Sequence, residues 1–177
     1  MNSVAFTGYR PEKMPFEENI QDENYLSFRE ELCKVINHLI ECGYTHFLSG
    51  VATGFDTWVA EAVLELQKEN KDLHLECVIP CPDQDKKWEQ TDKDRRQMIL
   101  ELADQSTLVS EHYSRDCFFA RNRYMVDKSD VVVCAYDGQK GGTAYTVKYA
   151  LRQNKIVIQI NPSTLEVSTI SKRMLDN

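Results

Sequence analysis

Short apolar runs alternate with amphipathic helical stretches along this chain of 177 residues. Strands are predicted over 4–8, 45–50, 73–80, 106–111, 130–136 and 155–160, and helices over 25–43, 56–70, 85–104, 115–130 and 142–154. Repeated strand–helix units predict a parallel sheet, and strands that are apolar throughout are typical of a sheet covered on both faces. We therefore expect an α/β, Rossmann-like, doubly wound fold with a mainly parallel sheet of about six or seven strands. Helices should cover both faces, and the runs 4–8 and 130–136 should be central because both are apolar throughout.

The length of the chain and the unbroken alternation predict one domain over residues 1–177. The run 155–160 is the last predicted strand, and residues 161–177 form a polar C-terminal tail with few apolar anchors. No internal repeat, low-complexity block or long linker interrupts the pattern.

Composition and charge narrow the classes of function. The formal net charge is −7, from 28 acidic and 21 basic residues, which argues against a general affinity for nucleic acid or anionic membrane but leaves a local basic cleft open. The N-terminal residues lack the features of a signal peptide, and no apolar run reaches membrane-spanning length. The six cysteines form no C-x-x-C pair, so we expect free thiols in the cytoplasm and neither a metal site nor a disulfide framework. The sequence leaves homo-oligomer formation open.

The residues that follow the predicted strands are the candidate ligand-binding residues, because parallel sheets bind ligands at the carboxyl ends of their strands. After the first strand, in "TGYRP", Gly8 permits close backbone approach and Arg10 could bind an anion, although a plain turn before Pro11 explains the same residues. After the second strand, in "SGVATGFD", Gly50 and Gly54 bracket a loop that opens a helix. The N–H groups at a helix N-terminus suit phosphate.

Asp56, the last residue of "SGVATGFD", could cap the second helix or accept a ribose hydroxyl, and the sequence favours neither. Two further stretches carry residues that could bind an anion. In "ARNRYMVDKSD", only one of Arg121 and Arg123 can point into a cleft, because residues two apart do not share a helical face, and helical arginines are often solvated. In "DGQKGGT", the backbone of Gly141 and Gly142 could wrap an anion, with Thr143 bonding a phosphate oxygen or capping the helix.

The spacing of these loops excludes two familiar nucleotide motifs. Neither the G-x-G-x-x-G dinucleotide fingerprint nor the G-x-x-x-x-G-K-[ST] P-loop is present. Each glycine-rich loop alone could be a flexible turn, but several candidate loops at one edge of one sheet favour a shared site. We expect the site to contain no metal and no cofactor.

The stretches "SGVATGFDTWVAEAVLEL" and "RNRYMVDKSDVVVCAYDGQKGGTAYTVKYAL" together resemble the SLOG superfamily of Rossmann-like domains. That superfamily includes DNA-processing protein A and the "lonely guy" cytokinin-activating enzymes. The segment "TGYRP" and the chain length are similar to its small YpsA-like branch, and the resemblance covers roughly residues 3–160. It implies that nucleotides or nucleotide-derived ligands bind at the strand ends.

The resemblance also implies roles for individual residues. The lonely guy enzymes remove a base from a nucleoside 5′-monophosphate, and their arginine falls on Arg121, with Met125 and Ser129 in register. Their glycine-rich stretch falls on "DGQKGGTAYT", residues 137–146, but their leading proline is absent and their catalytic glutamate is replaced by Thr146. DNA-processing protein A carries a similar glycine–aspartate loop and a similar Arg-Asn-Arg stretch, and it binds single-stranded DNA.

Three hypotheses follow. The first is a nucleotide-ligand binding domain that acts as a sensor or regulator, with the ligand-binding residues Gly8, Tyr9, Arg10, Gly50, Gly54, Asp56, Arg121, Gly141, Gly142 and Thr143. The second is an N-glycosidic hydrolase of unknown catalytic residues, for which Asp56 and Asp137 are the candidate carboxylates. The third is a single-stranded DNA binder, which the acidic composition disfavours. Tyr9, Trp88 and Tyr113 could stack on a base or simply pack.

Overall fold

Seven strands and five α-helices follow one another through residues 2–170, which are the residues that the computed structural model describes. The strands are β1 (Ser3–Gly8), β2 (His46–Ser49), β3 (His74–Ile79), β4 (Gln105–Leu108), β5 (Val131–Ala135), β6 (Ile156–Ile160) and β7 (Val167–Ile170). The helices are α1 (Glu23–Glu41), α2 (Phe55–Leu66), α3 (Gln90–Leu102), α4 (Cys117–Asp127) and α5 (Gly142–Arg152), with a short 3-10 helix over Pro11–Lys13.

The strands form one sheet in the order β4-β3-β2-β1-β5-β6-β7. Every neighbouring pair is parallel except β6 and β7, which are antiparallel. The Rossmann-like α/β prediction is confirmed, as is the central position of β1 and β5. From β1 the chain adds strands on one side as far as β4, and it then crosses to the other side of β1 to form β5. The order therefore reverses between β1 and β5, and such a switch point leaves a crevice at the carboxyl ends of the strands.

Side chains of the central strands alternate between two apolar clusters, one on each face of the sheet. In β1, Val4 and Phe6 belong to the cluster that includes residues of α1, α2 and α3. Ala5, between them, belongs to the cluster that includes residues of α4 and α5. In β5, Val133 and Cys134 divide in the same way. The helices therefore cover both faces of the sheet, and the apolar runs of the central strands are buried on both sides.

Two predicted segments need correction. The helix predicted over 85–104 begins only at Gln90, because residues 82–87 form turns that bury Gln84. The Gln84 side chain donates a hydrogen bond to the Gly50 carbonyl oxygen at 3.0 Å, so a tertiary contact overrides the helical pattern. The strand over 155–160 is not the last one, since β7 lies within the predicted polar tail. It pairs with β6 only, and three of its four residues are exposed, so it lacks the continuous apolar run of a central strand. The rest of that tail, 171–177, lies outside the described residues.

Two further features bear on the composition arguments. All six cysteines are free thiols, and four of them, Cys77, Cys81, Cys117 and Cys134, are buried. Across residues 2–170, no helix has both the length and the apolar character needed to cross a membrane.

Candidate functional site

A cleft of about 260 Å³ opens at the carboxyl edge of the sheet, beside the switch point between β1 and β5. It brings seven of the ten predicted ligand-binding residues to one place, namely Gly8, Tyr9, Arg10, Asp56, Arg121, Gly142 and Thr143. Gly50, Gly54 and Gly141 are not among its lining residues. Each of these three instead lies against a residue that lines the cleft: Gly50 against Arg121, Gly54 against Tyr9, and Gly141 against Lys13.

Two glycines allow the loop after β1 to approach the start of α2. A Cβ atom added to Gly8 would overlap the ring of Phe55. Gly54 has φ 85°, and an added Cβ would lie 2.9 Å from the Tyr9 carbonyl oxygen. Only glycine combines that backbone conformation with that contact without strain. Gly8 and Gly54 therefore set the width of the cleft on this side, whether or not they touch a ligand.

Arg121 crosses from α4 to the base of the cleft and is only 5% exposed. Its Nη1 atom donates a hydrogen bond of 2.6 Å to the Gly50 carbonyl oxygen, and its Nε atom donates one of 2.7 Å to Asn122 Oδ1. A side chain at Gly50 would overlap the Arg121 guanidinium. Gly50 therefore makes room for Arg121, which is a different task from the close phosphate approach that the loop sequence suggested.

Arg123 points away from the cleft, as the spacing of two residues on a helix predicts. Its guanidinium donates to Asp116 Oδ2 at 2.6 Å and to the Tyr145 hydroxyl at 2.9 Å. Of the two arginines, Arg121 is the one that reaches the cleft.

Asp56 lies in the first turn of α2 and is 7% exposed. Burial raises the pKa of its carboxyl group, whereas the positive charges of Arg121 and Arg10 act in the opposite direction. Burial disfavours the charged form of Arg121 as well and so lowers its pKa, although an arginine keeps its charge in proteins. Three cations, Arg10, Lys13 and Arg121, line the cleft, and Asp56 is the one acidic residue that the described part of the chain contributes to it. The cleft therefore carries an excess of positive charge in a protein of net charge −7.

The N-terminus of α5 forms the opposite wall. Its N-cap residue is Gly141, and no side chain caps the helix there. Gly142 and Thr143 of the first turn line the cleft, and a Cβ added to Gly142 would meet no atom within 4 Å. The first N–H groups of a helix lack intrahelical partners and carry roughly half a positive charge, so this wall suits an anion.

Asp137 and Thr146, the two residues on which a hydrolase hypothesis depends, are both engaged in bonds to other parts of the protein. The Tyr9 hydroxyl and the Gln139 side chain donate hydrogen bonds to Asp137, which is not among the residues lining the cleft. Burial, followed by the bond to Asp137, raises the pKa of Tyr9 to about 12. The buried Thr146 donates to the Gly142 carbonyl oxygen at 3.0 Å and accepts from Asn122 Nδ2 at 2.9 Å. Asp56 is thus the candidate carboxylate that the structure places in the cleft.

Six lining residues were not singled out by the sequence, namely Thr7, Lys13, Ala52, Phe118, Phe119 and Asn122. Asn122 lies between the two arginines of the Arg-Asn-Arg stretch, so that stretch itself contained a signal. Phe118 and Phe119 are consecutive aromatic residues at the start of α4, and Phe119 is 37% exposed. Lys13 ends the 3-10 helix over Pro11–Lys13 and donates a hydrogen bond to the Lys140 carbonyl oxygen just before α5 at 3.3 Å, a contact that residue types alone do not show.

Comparison with known proteins identifies the family. The family model named YpsA and described as the YspA SLOG family matches residues 4–167, so the chain belongs to that family. A UPF0398 protein of Bacillus pumilus (strain SAFR-032) is 35% identical over 156 residues, covering 85% of this chain and 82% of the relative. The UPF0398 protein YpsA of Bacillus subtilis (strain 168) is 32% identical over 150 residues, covering 81% and 80%.

The fold is also similar to two solved structures of DNA processing protein A. The protein from Streptococcus pneumoniae superposes with a TM-score of 0.62 at 20% identity, over 93% of this chain and 52% of that one. The protein from Helicobacter pylori superposes with a TM-score of 0.61 at 19% identity, over 90% and 65%. The chain thus spans about half the length of the first and 65% of the second. The likeness concerns the fold.

Proposed function

We propose that the cleft binds a nucleotide or nucleotide-derived ligand, with a phosphate group at the N-terminus of α5. The observation that carries this proposal is the meeting of an uncapped helix N-terminus with Arg10, Lys13 and Arg121 around one cleft. Helix N–H groups and guanidinium groups both donate to phosphate oxygens, and a partly enclosed site strengthens each bond. Arg121 is held by the Gly50 carbonyl, so it supplies mainly charge.

Asp56 gives the proposed site a way to distinguish a nucleotide from a simple anion. A carboxylate repels phosphate but accepts hydrogen bonds from ribose hydroxyls, which is the use that dinucleotide folds make of an acidic residue. A sugar that bridged Asp56 and the start of α5 would be held at both ends. We therefore propose a sensor or regulatory role in which binding, rather than turnover, is the function.

Thr146 supports the choice of binding over hydrolysis. In the related hydrolases a glutamate is expected at this position, and a neutral hydroxyl offers neither a carboxylate charge nor an effective base. The Thr146 hydroxyl is also occupied by Gly142 and Asn122. We expect negligible release of free base from AMP or from a cytokinin nucleotide. Robust release that Asp56→Asn abolishes and Thr146→Val preserves would instead establish an N-glycosidic hydrolase with a relocated acid.

Single-stranded DNA is the second candidate ligand. DNA processing protein A from Helicobacter pylori has a single-stranded DNA binding mode, and three cations line the cleft of this chain. The overall negative charge of the chain is therefore not a sufficient ground for excluding nucleic acid. Affinity for a short oligonucleotide that falls steeply between about 50 and 200 mM salt would favour this candidate over a free nucleotide.

The free cysteines indicate the cellular compartment in which the protein works. Six unpaired thiols are typical of a reducing environment, so we propose that the protein works in the cytoplasm.

Mass spectrometry of small molecules that co-purify with the protein, combined with a binding panel of mononucleotides and nucleoside diphosphate-ribose species, tests the main proposal. Gly142→Val places a side chain at the edge of the cleft where a Cβ atom meets no protein atom within 4 Å, so it should reduce affinity at least about tenfold. The free energy of unfolding should change by less than about 1 kcal/mol. Lys148→Val adds a valine at an exposed position of the same helix and should change neither quantity. Unchanged affinity in Gly142→Val would contradict the phosphate site.

A further inference from the structure

A second recess adjoins the cleft. It has a volume of about 500 Å³, and its walls include Lys86, Lys87, Trp88, Tyr113 and Phe118. Phe118 also lines the cleft, so the two spaces share a wall at the start of α4. The turns after β3 provide the two lysines and Trp88, while the loop after β4 provides Tyr113. The recess therefore lies at the same carboxyl edge of the sheet as the cleft.

The aromatic rings of the recess are not packed against other rings in the way that the core rings are. Trp58 is fully buried and packs against Phe16, Tyr25 and Phe28. Within residues 2–170, by contrast, Trp88, Tyr113 and Phe118 take part in none of the ring pairs. Tyr113 is 64% exposed. An aromatic surface of this kind is open to a flat ligand.

The size of the cleft shows why a ligand would extend into the recess. Small-molecule sites commonly enclose roughly 300–1,000 Å³, and the cleft of about 260 Å³ falls just below that range. It can hold a phosphate and a sugar, but a complete nucleotide needs the neighbouring space. We propose that the recess binds the base of the nucleotide, which stacks on Trp88 or Tyr113 while its phosphate lies at the N-terminus of α5. This inference rests on the function proposed above.

The charge of the recess favours a nucleobase over a purely apolar group. Lys86 and Lys87 are exposed beside the rings, and Asp83 is the acidic residue on the same wall. Lysine ammonium groups donate to the carbonyl oxygens and ring nitrogens of a base or to a further phosphate, whereas an aliphatic ligand would leave them without a role. Every nucleobase also offers a flat face for stacking.

The two tryptophans of the chain make the base site directly measurable. Trp58 is shielded in the core, whereas Trp88 is half-buried in the recess. Titration of the full chain with AMP should therefore quench the fluorescence of Trp88 alone, and Trp88→Phe should abolish the quenching. Ribose 5-phosphate, which has the phosphate and sugar but no base, should bind without quenching.

Affinities complete the test. Trp88→Ala should weaken AMP between about fivefold and about 150-fold, the range that one base–aromatic stack contributes, and should leave ribose 5-phosphate unchanged. Trp88→Phe should restore most of the AMP affinity, which a loss of folding would not allow. If AMP and ribose 5-phosphate bind equally well and Trp88→Ala affects neither, the base site is overturned while the phosphate cleft stands. If neither compound binds, the proposed function fails together with the base site. Quenching by a short single-stranded oligonucleotide but not by AMP would overturn the assignment to a free nucleotide.

Discussion

Asp56 and Glu76 are both buried carboxylates, but their surroundings differ. Glu76 of β3 accepts hydrogen bonds from His46 Nε2 at 2.9 Å, Thr107 Oγ1 at 2.8 Å and the Tyr124 hydroxyl at 3.0 Å. Within residues 2–170, no side chain donates a hydrogen bond to the Asp56 carboxylate. It accepts one from the backbone N–H group of Ala52 and interacts electrostatically with Arg121 and Arg10.

The pKa values shift in opposite directions as a result. Burial raises the pKa of both groups, but at Glu76 the hydrogen bonds outweigh burial and hold the pKa below its usual range. At Asp56 burial dominates and the pKa is raised. A buried carboxylate whose hydrogen bonds are complete stabilises the fold, whereas one that is incompletely bonded in a cleft is a candidate for ligand contact. The comparison therefore assigns Glu76 to structure and Asp56 to the site.

The largest expected effect comes from removing the cation beside Asp56. Arg121→Met removes one of the two donors to the Gly50 carbonyl oxygen, where Gln84 remains, and it takes the nearest buried cation away from the Asp56 carboxylate. Leaving one member of a buried charge pair uncompensated typically costs about 3–5 kcal/mol. We expect a loss of about that size in the free energy of unfolding, measured by urea denaturation. Arg123→Met is the matched control two residues away. It removes an ion pair with Asp116 between partly exposed side chains, which should lower the free energy of unfolding by less than about 1 kcal/mol. Equal losses would mean that Arg121 does not hold the base of the cleft.

Glu76→Gln should have the next largest effect. The variant keeps the shape of the side chain but loses charge-assisted bonds to three donors, so we expect a loss of about 2 kcal/mol near neutral pH. Because the folded pKa of Glu76 is lowered, the stability that its charge provides is present above the ordinary pKa of 4.5 and is lost as the pH falls through the folded value. Urea denaturation at several pH values should show the wild type and the variant converging below that ordinary value. A difference that grows with acidification would contradict the assignment.

Asp56→Asn should have the smallest effect on stability and a clear effect on binding. Burial raises the folded pKa of Asp56 even though Arg121 and Arg10 act in the opposite direction, so ionisation of this group does not stabilise the fold. The neutral amide should therefore change the free energy of unfolding by less than about 1 kcal/mol. Removing the negative charge should strengthen the binding of inorganic pyrophosphate and weaken that of a ribose-containing ligand. Calorimetric titration of both ligands checks this, and a parallel change in the two affinities would exclude a contact to the sugar.

The sequence was informative wherever local pattern decides structure. The apolar runs of β1 and β5 are recognisable because both faces are buried. Helical periodicity indicates that only one of Arg121 and Arg123 can reach the cleft, and the resemblance to the lonely guy enzymes indicates that it is Arg121. Loop glycines marked the edge of the sheet correctly. Their individual tasks were not predictable, because Gly50 accommodates Arg121 from a helix about 70 residues later in the chain.

The remaining features depend on contacts between distant segments. Helix α3 begins later than predicted because Gln84 contacts Gly50. Strand β7 is an edge strand that pairs only with β6, and it lacks the continuous apolar run of a central strand. The Asp137 carboxylate accepts a hydrogen bond from the Tyr9 hydroxyl. The two residues are 128 positions apart in the sequence, so no local pattern indicates this bond. The unequal environments of Asp56 and Glu76 have the same origin, since every donor to Glu76 lies on another element.

Backbone amide spectra of isotopically labelled protein, titrated with AMP, test the central claim most directly. The claim is that the first turn of α5 holds the phosphate of a nucleotide. It predicts that the amide resonances of Gly142, Thr143 and Ala144 shift most among those of the central sheet and its helices, and that Gly142→Val abolishes these shifts while leaving the rest of the spectrum unchanged. Saturable shifts that leave residues 142–144 unmoved would contradict it.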